Sequence, residues 1–386
     1  MKYDFTFYNP TRIHFGKDSL AALNEELKNY GPRVLLVYGG GSIKRTGLYD
    51  KVMAILKAEN KEVFECPGIT PNPKLADMMR GVKMIEENHI DLILAVGGGS
   101  VIDCAKGMSV SVGVKDPFKT LWLEQKEVTK NNVPVGSILT MVGTGSEFNG
   151  GSVITDEEHK IKMGRVFPSH VYPKFSILNP ELTYTVSEYQ MTSGIFDIFS
   201  HLMEQYFSGD DDNVSDYLIE GLMRSLIVST KKALINREDY EARSNIMWIA
   251  SLALNTLVGE SKTQDWEVHN IEHQLGAYTD CAHGMGLAAI SVPYYKHIYK
   301  YGLAKFVRFA KNIWNVNTEN KTDDEIALAG INALGNFIKE SHMVTHIKDL
   351  GATEDMLHDI AYSTIESGGY KKLSHEEIYQ ILKEAF

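Results

Sequence analysis

Three times in the first half of this chain a short apolar run ends in a glycine-rich loop. Arg33–Tyr38 leads into Gly39-Gly40-Gly41-Ser42, and Asp91–Val96 into Gly97-Gly98-Gly99-Ser100. Val135–Thr140 is followed by Gly143-Thr144-Gly145-Ser146-Glu147. Runs that are apolar on successive residues predict strands buried on both faces, the condition of a parallel sheet covered by helices. Helical stretches fall between them: Ser19–Tyr30, stopped by Gly31-Pro32; about Gly47 to Glu59; and a face built from Leu75, Met78, Met79, Val82 and Ile85. Val63–Cys66 reads as a further strand, and Pro71-Asn72-Pro73 as a loop. Near the start, Tyr3, Phe5 and Phe7 alternate, as do Ile13 and Phe15, about Asn9-Pro10. That pattern predicts a short hairpin or strand pair.

The loops carry a chemical expectation. A glycine run after a parallel strand lets backbone approach a ligand, and a helix that follows favours an anion at its N-terminus. Strand ends of this kind are where α/β proteins bind ligands. None of the loops has the G-x-G-x-x-G spacing, and one alone is commonly just a tight turn. Three at equivalent strand ends point to a phosphate-bearing ligand. After the first long strand come only glycines and Ser42, with Lys44 and Arg45 beyond. A 2′-phosphate meets no carboxylate there, which favours NADP(H). Glu65, ending the next strand, keeps NAD(H) open.

After about Thr185 the character changes to long helical segments, among them Ser187–Phe207, Asn213–Leu234, Ala242–Val258, His283–Tyr301 and Asp324–Ser341. A chain of 386 residues is too long for one ordinary core. The expected division is a nucleotide-binding α/β domain over 1–185 and an all-helical domain over 186–386.

The second domain holds the other chemical signal. Asp197 and His201 are four apart, and so are His269 and His273, with His283-Gly284 a little further on. Residues at i and i+4 lie one above the other on a helix, so a pair can reach one small ion. Single pairs of this kind recur by chance, and a His near a helix end often serves only the dipole. Two pairs plus a third His, from thirteen in the chain, are a concentration. A carboxylate with imidazoles suits a borderline divalent metal, Fe2+ or Zn2+. Asp197, His201, His269 and His283 are the working ligand set. Cys281 is a rival ligand whose alternative is burial beside the site.

Bulk properties exclude other classes. The net charge is −11 with no long basic run, which argues against nucleic acid or an anionic membrane surface as partner. No apolar run approaches the ~18 residues of a membrane span. Met1-Lys2-Tyr3-Asp4-Phe5 lacks the form of a secretory signal, and Cys66, Cys104 and Cys281 are odd in number and scattered. A cytoplasmic protein with reduced thiols is expected.

Taken together, these motifs resemble the iron-containing (group III) alcohol dehydrogenases, in particular their butanol dehydrogenase and broad aldehyde reductase branch. The likeness extends over nearly the whole chain. It rests on Phe7-Tyr-Asn-Pro-Thr-Arg-Ile-His-Phe-Gly16, Gly97-Gly-Gly-Ser-Val-Ile-Asp103-Cys-Ala-Lys106, Thr140 with Gly143–Glu147, Leu178-Asn179-Pro180, and the Asp197/His201 and His269/His273/His283 spacings. It departs at Ser187, where the family often has Pro, and at Thr192-Ser193-Gly194 in place of Ala-Ala-Gly.

The resemblance implies a Rossmann-like N-terminal domain, an all-α C-terminal domain, an active site in the cleft and a homodimer. It implies the four metal ligands named above, with His273 a nearby non-ligand. It also implies cofactor contacts at Gly39, Gly40, Ser42, Asn72, Gly98, Ser100, Asp103, Thr140, Thr144, Lys162 and Leu178. Asp103 and His273 are carried as catalytic candidates, His273 on a proton path or as an orienting neighbour. Short linear aldehydes and primary alcohols are the expected substrates. Phe148, Phe196 and Phe199 are candidates for an apolar pocket, or plain core. Two rivals stand beside this reading: a dehydroquinate synthase-like lyase, which needs Lys and Arg near the metal, and a non-catalytic nucleotide or metal sensor.

Overall fold

The computed structural model describes residues 3–128, 132–209, 214–260 and 262–386. Met1 and Lys2 of the leader reading, and Asn213 of one expected helix, lie outside these residues. The chain forms two compact units, Tyr8–Val186 and Ser187–Phe386, the latter joined by the leading segment that ends at Phe7.

Among the described residues the first unit has eight strands: β1 (Arg12–Phe15), β2 (Arg33–Tyr38), β3 (Glu62–Cys66), β4 (Leu92–Gly97), β5 (Val135–Leu139), β6 (Gly151–Asp156), β7 (Ile161–Val166) and β8 (Phe175–Leu178). Six form a sheet in the order β1-β8-β5-β4-β2-β3, every neighbour parallel. Its central strands β4 and β5 are buried throughout, as their unbroken apolar runs require. Leu36, Leu94 and Ile138 share one core cluster with Leu23, Leu27, Val52 and Leu56 from covering helices.

One local expectation fails and another is shortened. No hairpin forms near the start. Residues 3–11 are irregular, and only β1 enters the sheet, parallel to β8. Asn9 explains the turn away: its Oδ1 accepts the Thr11 N–H at 3.0 Å and its Nδ2 donates to the Phe148 carbonyl at 2.8 Å. The helix expected over Ser19–Tyr30 is a 3₁₀ turn, Ser19–Ala21, followed by Ala22–Leu27. The structure also adds β6 and β7, an antiparallel pair standing apart from the main sheet.

The second unit is helical. Ser187 caps its first helix, Glu188–Tyr206, by accepting the Gln190 N–H at 3.2 Å. Ser is a favoured residue at such a helix start, where its hydroxyl accepts a backbone N–H that has no partner within the helix. Every residue from Met191 to Tyr206 is buried, so this helix is the spine of the unit. Helices Val214–Ile235, Tyr240–Ala253, Glu267–Thr279 and His283–Ile298 follow. The helix expected over Ala242–Val258 stops at Ala253, and Thr256 takes a left-handed φ of 77°. Among the described residues no helix is long and apolar enough to cross a membrane.

Candidate metal centre and nucleotide loops

Three helices of the second unit place the metal candidates. Asp197 and His201 come from Glu188–Tyr206, His269 and His273 from Glu267–Thr279, and His283 opens His283–Ile298. Gly284 makes the last placement possible: a Cβ there would collide with the Ser193 carbonyl. Only glycine lets that helix start press onto the spine, one turn before Asp197.

Around Asp197 Oδ1 stand three imidazole nitrogens: Nε2 of His201 at 3.2 Å, of His283 at 3.5 Å and of His269 at 3.6 Å. Asp197, His269 and His283 bring ligand atoms within 4.8 Å of one another. His201 is outside that tight group but stacks on His269, ring centroids 4.9 Å apart. Asp197 Oδ1 and His269 Nε2 are buried with no hydrogen-bond partner among the described residues. Ligands ~2.1 Å from a tetrahedral ion sit roughly 3.4 Å from each other, so the spacings of the three nitrogens from Asp197 Oδ1 suit donors around a small divalent cation.

Two carboxylates brace the imidazoles. His269 Nδ1 bonds Glu204, whose other oxygen accepts the His269 backbone N–H at 3.2 Å. His283 Nδ1 bonds Glu272, which is fully buried. Such contacts fix the tautomer and leave Nε2 aimed at the shared point. Sequence reasoning missed both. The signal was present: Glu204 lies three residues after His201 and seven after Asp197, and Glu272 three after His269, each on its ligand's helical face. Burial alone would raise the Asp197 pKa, but His201, His283 and His269 hold it below the carboxylate range. Burial draws His201 down to about 4. For His269 burial is outweighed by Glu204 and Asp197, which pull it up to about 10. Positive charge at this point is what the site demands, from a proton or from a cation.

His273 lies beside the group without joining the Asp197 cluster, its ring 6.2 Å from His269 and 5.6 Å from His283. It and His283 are the half-buried members; His201 and His269 are buried. Cys281 is buried, its Sγ 3.9 Å from Glu272 Oε1, and is not in the Asp197 group. Phe196 and Phe199 are fully buried, Phe199 packing on Trp314 and Phe337, so both are core. Phe148 is half-buried in the first unit.

In that unit the three loops sit at the C-terminal ends of β2, β4 and β5. Gly40 and Ser42 are exposed, and Gly41 turns the chain at φ 95°. Gly98 precedes the helix Gly99–Ser111, where a Cβ on Gly99 would strike Thr144. The second and third loops therefore touch. Ser100 is half-buried in the helix's first turn, and the Thr140 N–H bonds Gly97 O at 2.9 Å. Asn72, at φ 49°, precedes Pro73, whose carbonyl accepts from Thr155, the register partner of Lys162. Leu178 ends β8 fully buried, its carbonyl taken by Gly16.

Asp103, carried above as a catalytic and cofactor-binding candidate, has both carboxylate oxygens engaged. One carboxylate oxygen accepts from Ser146 Oγ and the other from the Val153 N–H at 2.9 Å. These contacts tie Asp103 to the third loop at Ser146 and to β6 at Val153. Glu65, the carboxylate facing the first loop, accepts from Tyr38 at 2.6 Å and Tyr49 at 2.8 Å, with Lys44 Nζ 3.8 Å away.

A parallel α/β sheet with glycine loops at its strand ends, joined in one chain to a helical unit with a clustered Asp–His donor set, defines the class of protein as α/β with a candidate metal centre. The comparisons narrow it. Residues 10–180 match the family model described as "Iron-containing alcohol dehydrogenase" and residues 191–386 the one described as "Fe-containing alcohol dehydrogenase family, C-terminal". The chain belongs to the iron-containing alcohol dehydrogenase family. It is 37% identical to NADH-dependent butanol dehydrogenase A of Clostridium acetobutylicum, over 99% of each chain. It is 38% identical to the NADPH-dependent aldehyde reductase YqhD of Escherichia coli, over 90% of this chain and 89% of that one. The crystal structure of NADH-dependent butanol dehydrogenase A from Thermotoga maritima matches with a TM-score of 0.94 and 34% identity, over 100% and 99% of the two chains.

Proposed function

We propose that this chain transfers hydride between a nicotinamide cofactor and short-chain primary alcohols or aldehydes of butanol and butanal type. Residues 1–185 bind the cofactor and 186–386 hold one divalent ion, Fe2+ or Zn2+. The observation that carries the reading is the buried Asp197 oxygen ringed by three imidazole nitrogens. Asp197, His201, His269 and His283 are the ligands. A divalent ion held there supplies Lewis acidity to a carbonyl oxygen.

Glu204 and Glu272 orient His269 and His283. His273, half-buried beside them, is placed to pass a proton to the product oxygen, directly or through water. The strand-end loops hold the cofactor phosphates, with Asn72, Thr144 and Lys162 beside them. A lyase acting on a phosphorylated acid is disfavoured. Lys262, the basic residue nearest the ligands in sequence, is buried with Lys305 on Asp216, at 2.6 and 2.5 Å, and is not offered to such a substrate. We place the protein in the cytoplasm, since no disulfide joins its three cysteines, and expect a homodimer.

NADP(H) is the preferred cofactor in this reading, with NAD(H) accepted. Both Glu65 oxygens are occupied by phenols, and Lys44 stands over the Tyr38 and Tyr49 rings at 5.1 and 4.5 Å, ready to offset a 2′-phosphate. Butanal reduction followed with NADPH and with NADH is the test. We expect the larger kcat/KM with NADPH, and a roughly fivefold or greater drop in it for Lys44→Ala with a smaller change for NADH. A strong NADH preference defeats the cofactor assignment. Undiminished turnover after exhaustive chelation defeats the role given to the metal, and no turnover of butanal with either cofactor defeats the activity itself.

A further inference from the structure

Lysine is among the side chains least often fully buried, because its charge costs much to desolvate. Lys106 is fully buried on the helix Gly99–Ser111. Its Nζ donates to Ser146 O at 2.9 Å, Asn149 O at 3.1 Å and Asn149 Oδ1 at 3.2 Å. Three acceptors need three N–H groups, which an ammonium has and a neutral amine lacks. Asp103, one turn earlier, lies 3.8 Å from it and accepts from Ser146 Oγ on the same loop and from the Val153 N–H on the following strand β6. Carboxylate and ammonium thus grip one loop by opposite polarities.

Asn149 extends the grip. Its Nδ2 donates to Gly145 O at 2.8 Å and Thr144 O at 3.3 Å, while its Oδ1 also takes the Gly151 N–H at 2.7 Å. The carbonyls of Thr144, Gly145, Ser146 and Asn149 are therefore all turned to donors on the protein side. A carbonyl oxygen left facing outward would repel a phosphate.

We propose that Lys106 is a positioning residue for cofactor binding: its ammonium holds the Thr144–Asn149 loop with carbonyls inward, so that the outer face accepts an anion. The proposal rests on reading these loops as the nicotinamide-cofactor site. It also carries a pH signature. Burial draws the Lys106 pKa down to about 8, against the carboxylates of Asp103 on its own helix and Glu147 on the loop. Above that pH the amine has two N–H groups for three acceptors, and the loop slackens.

The experiment compares wild type, Lys106→Met and Lys106→Arg by fluorescence titration with NADPH and NADH and by butanal reduction, from about pH 6.5 to about 9.5. Lys106→Met should raise cofactor Kd and KM roughly tenfold or more while kcat at saturating cofactor stays within about threefold. Wild-type Kd should rise as pH passes about 8, and Lys106→Arg, charged throughout, should lose that rise. A lysine needed only for folding would lower yield or Tm, yet leave Kd and its pH profile unchanged in the folded fraction, and that result overturns the proposal. If Lys106→Met does not fold, the wild-type profile and Asn149→Ala decide: a flat profile with unchanged affinity in Asn149→Ala overturns it equally. Wild type that binds neither cofactor sinks the functional reading, and this inference with it.

Discussion

One buried carboxylate oxygen with three imidazole nitrogens 3.2–3.6 Å away is a poor arrangement for stability alone, because it orphans polar atoms in the interior. It makes sense as a cation cage. Spacing in the sequence exposed the ligands, since i and i+4 pairs are visible without coordinates. It did not expose Glu204 and Glu272, because carboxylates at helical spacing are common and only packing shows which imidazole they meet. Glu272→Gln keeps shape but removes the charge behind His283, so metal affinity should fall roughly 10–100-fold in chelator competition. Affinity equal to wild type would remove the bracing role. His273→Ala should leave metal content intact and flatten the pH–rate profile of butanal reduction. An unaltered profile would leave His273 only a neighbour of the ligands.

At the scale of elements, the apolar runs of β2, β4 and β5 made the parallel sheet readable, and the glycine loops followed from the same pattern. The β6–β7 pair was not readable. Its strands pair antiparallel off the sheet, and its turn, Glu157-Glu158-His159-Lys160, reads as an exposed loop. The early hairpin was misread because alternating aromatics look like a strand, while the Asn9 side chain bends the chain away.

Within the helical unit, Asp216 on Val214–Ile235 joins Lys262 and Lys305 in a fully buried triad. Burial pushes the Asp216 pKa up, but the two lysines more than reverse it, to below 3.8. Its stabilising contribution is therefore present above that value and is lost as pH falls through the folded one. Asp216→Asn should cost about 3–5 kcal/mol in denaturant unfolding at neutral pH, since it leaves two buried ammonium groups without their counter-ion. The gap from wild type should narrow on acidification. Equal stability at neutral pH would contradict this reading of the triad.

For the molecule as a whole, chemistry is divided between two units. A loop-rich sheet is suited to phosphate, and the helical unit brings the proposed metal ligands together from three helices. The family follows from matches over residues 10–180 and 191–386. The finer account, one ion at Asp197, His201, His269 and His283 enabling aldehyde reduction, is tested most directly by metal titration. Chelated protein is titrated anaerobically with Fe2+, and separately with Zn2+, while bound metal and NADPH-dependent butanal reduction are read together. The account predicts activity rising with binding and levelling at one ion per chain, with Asp197→Ala neither binding tightly nor turning over. Full activity in metal-free protein, or Asp197→Ala that binds and reduces like wild type, would contradict it.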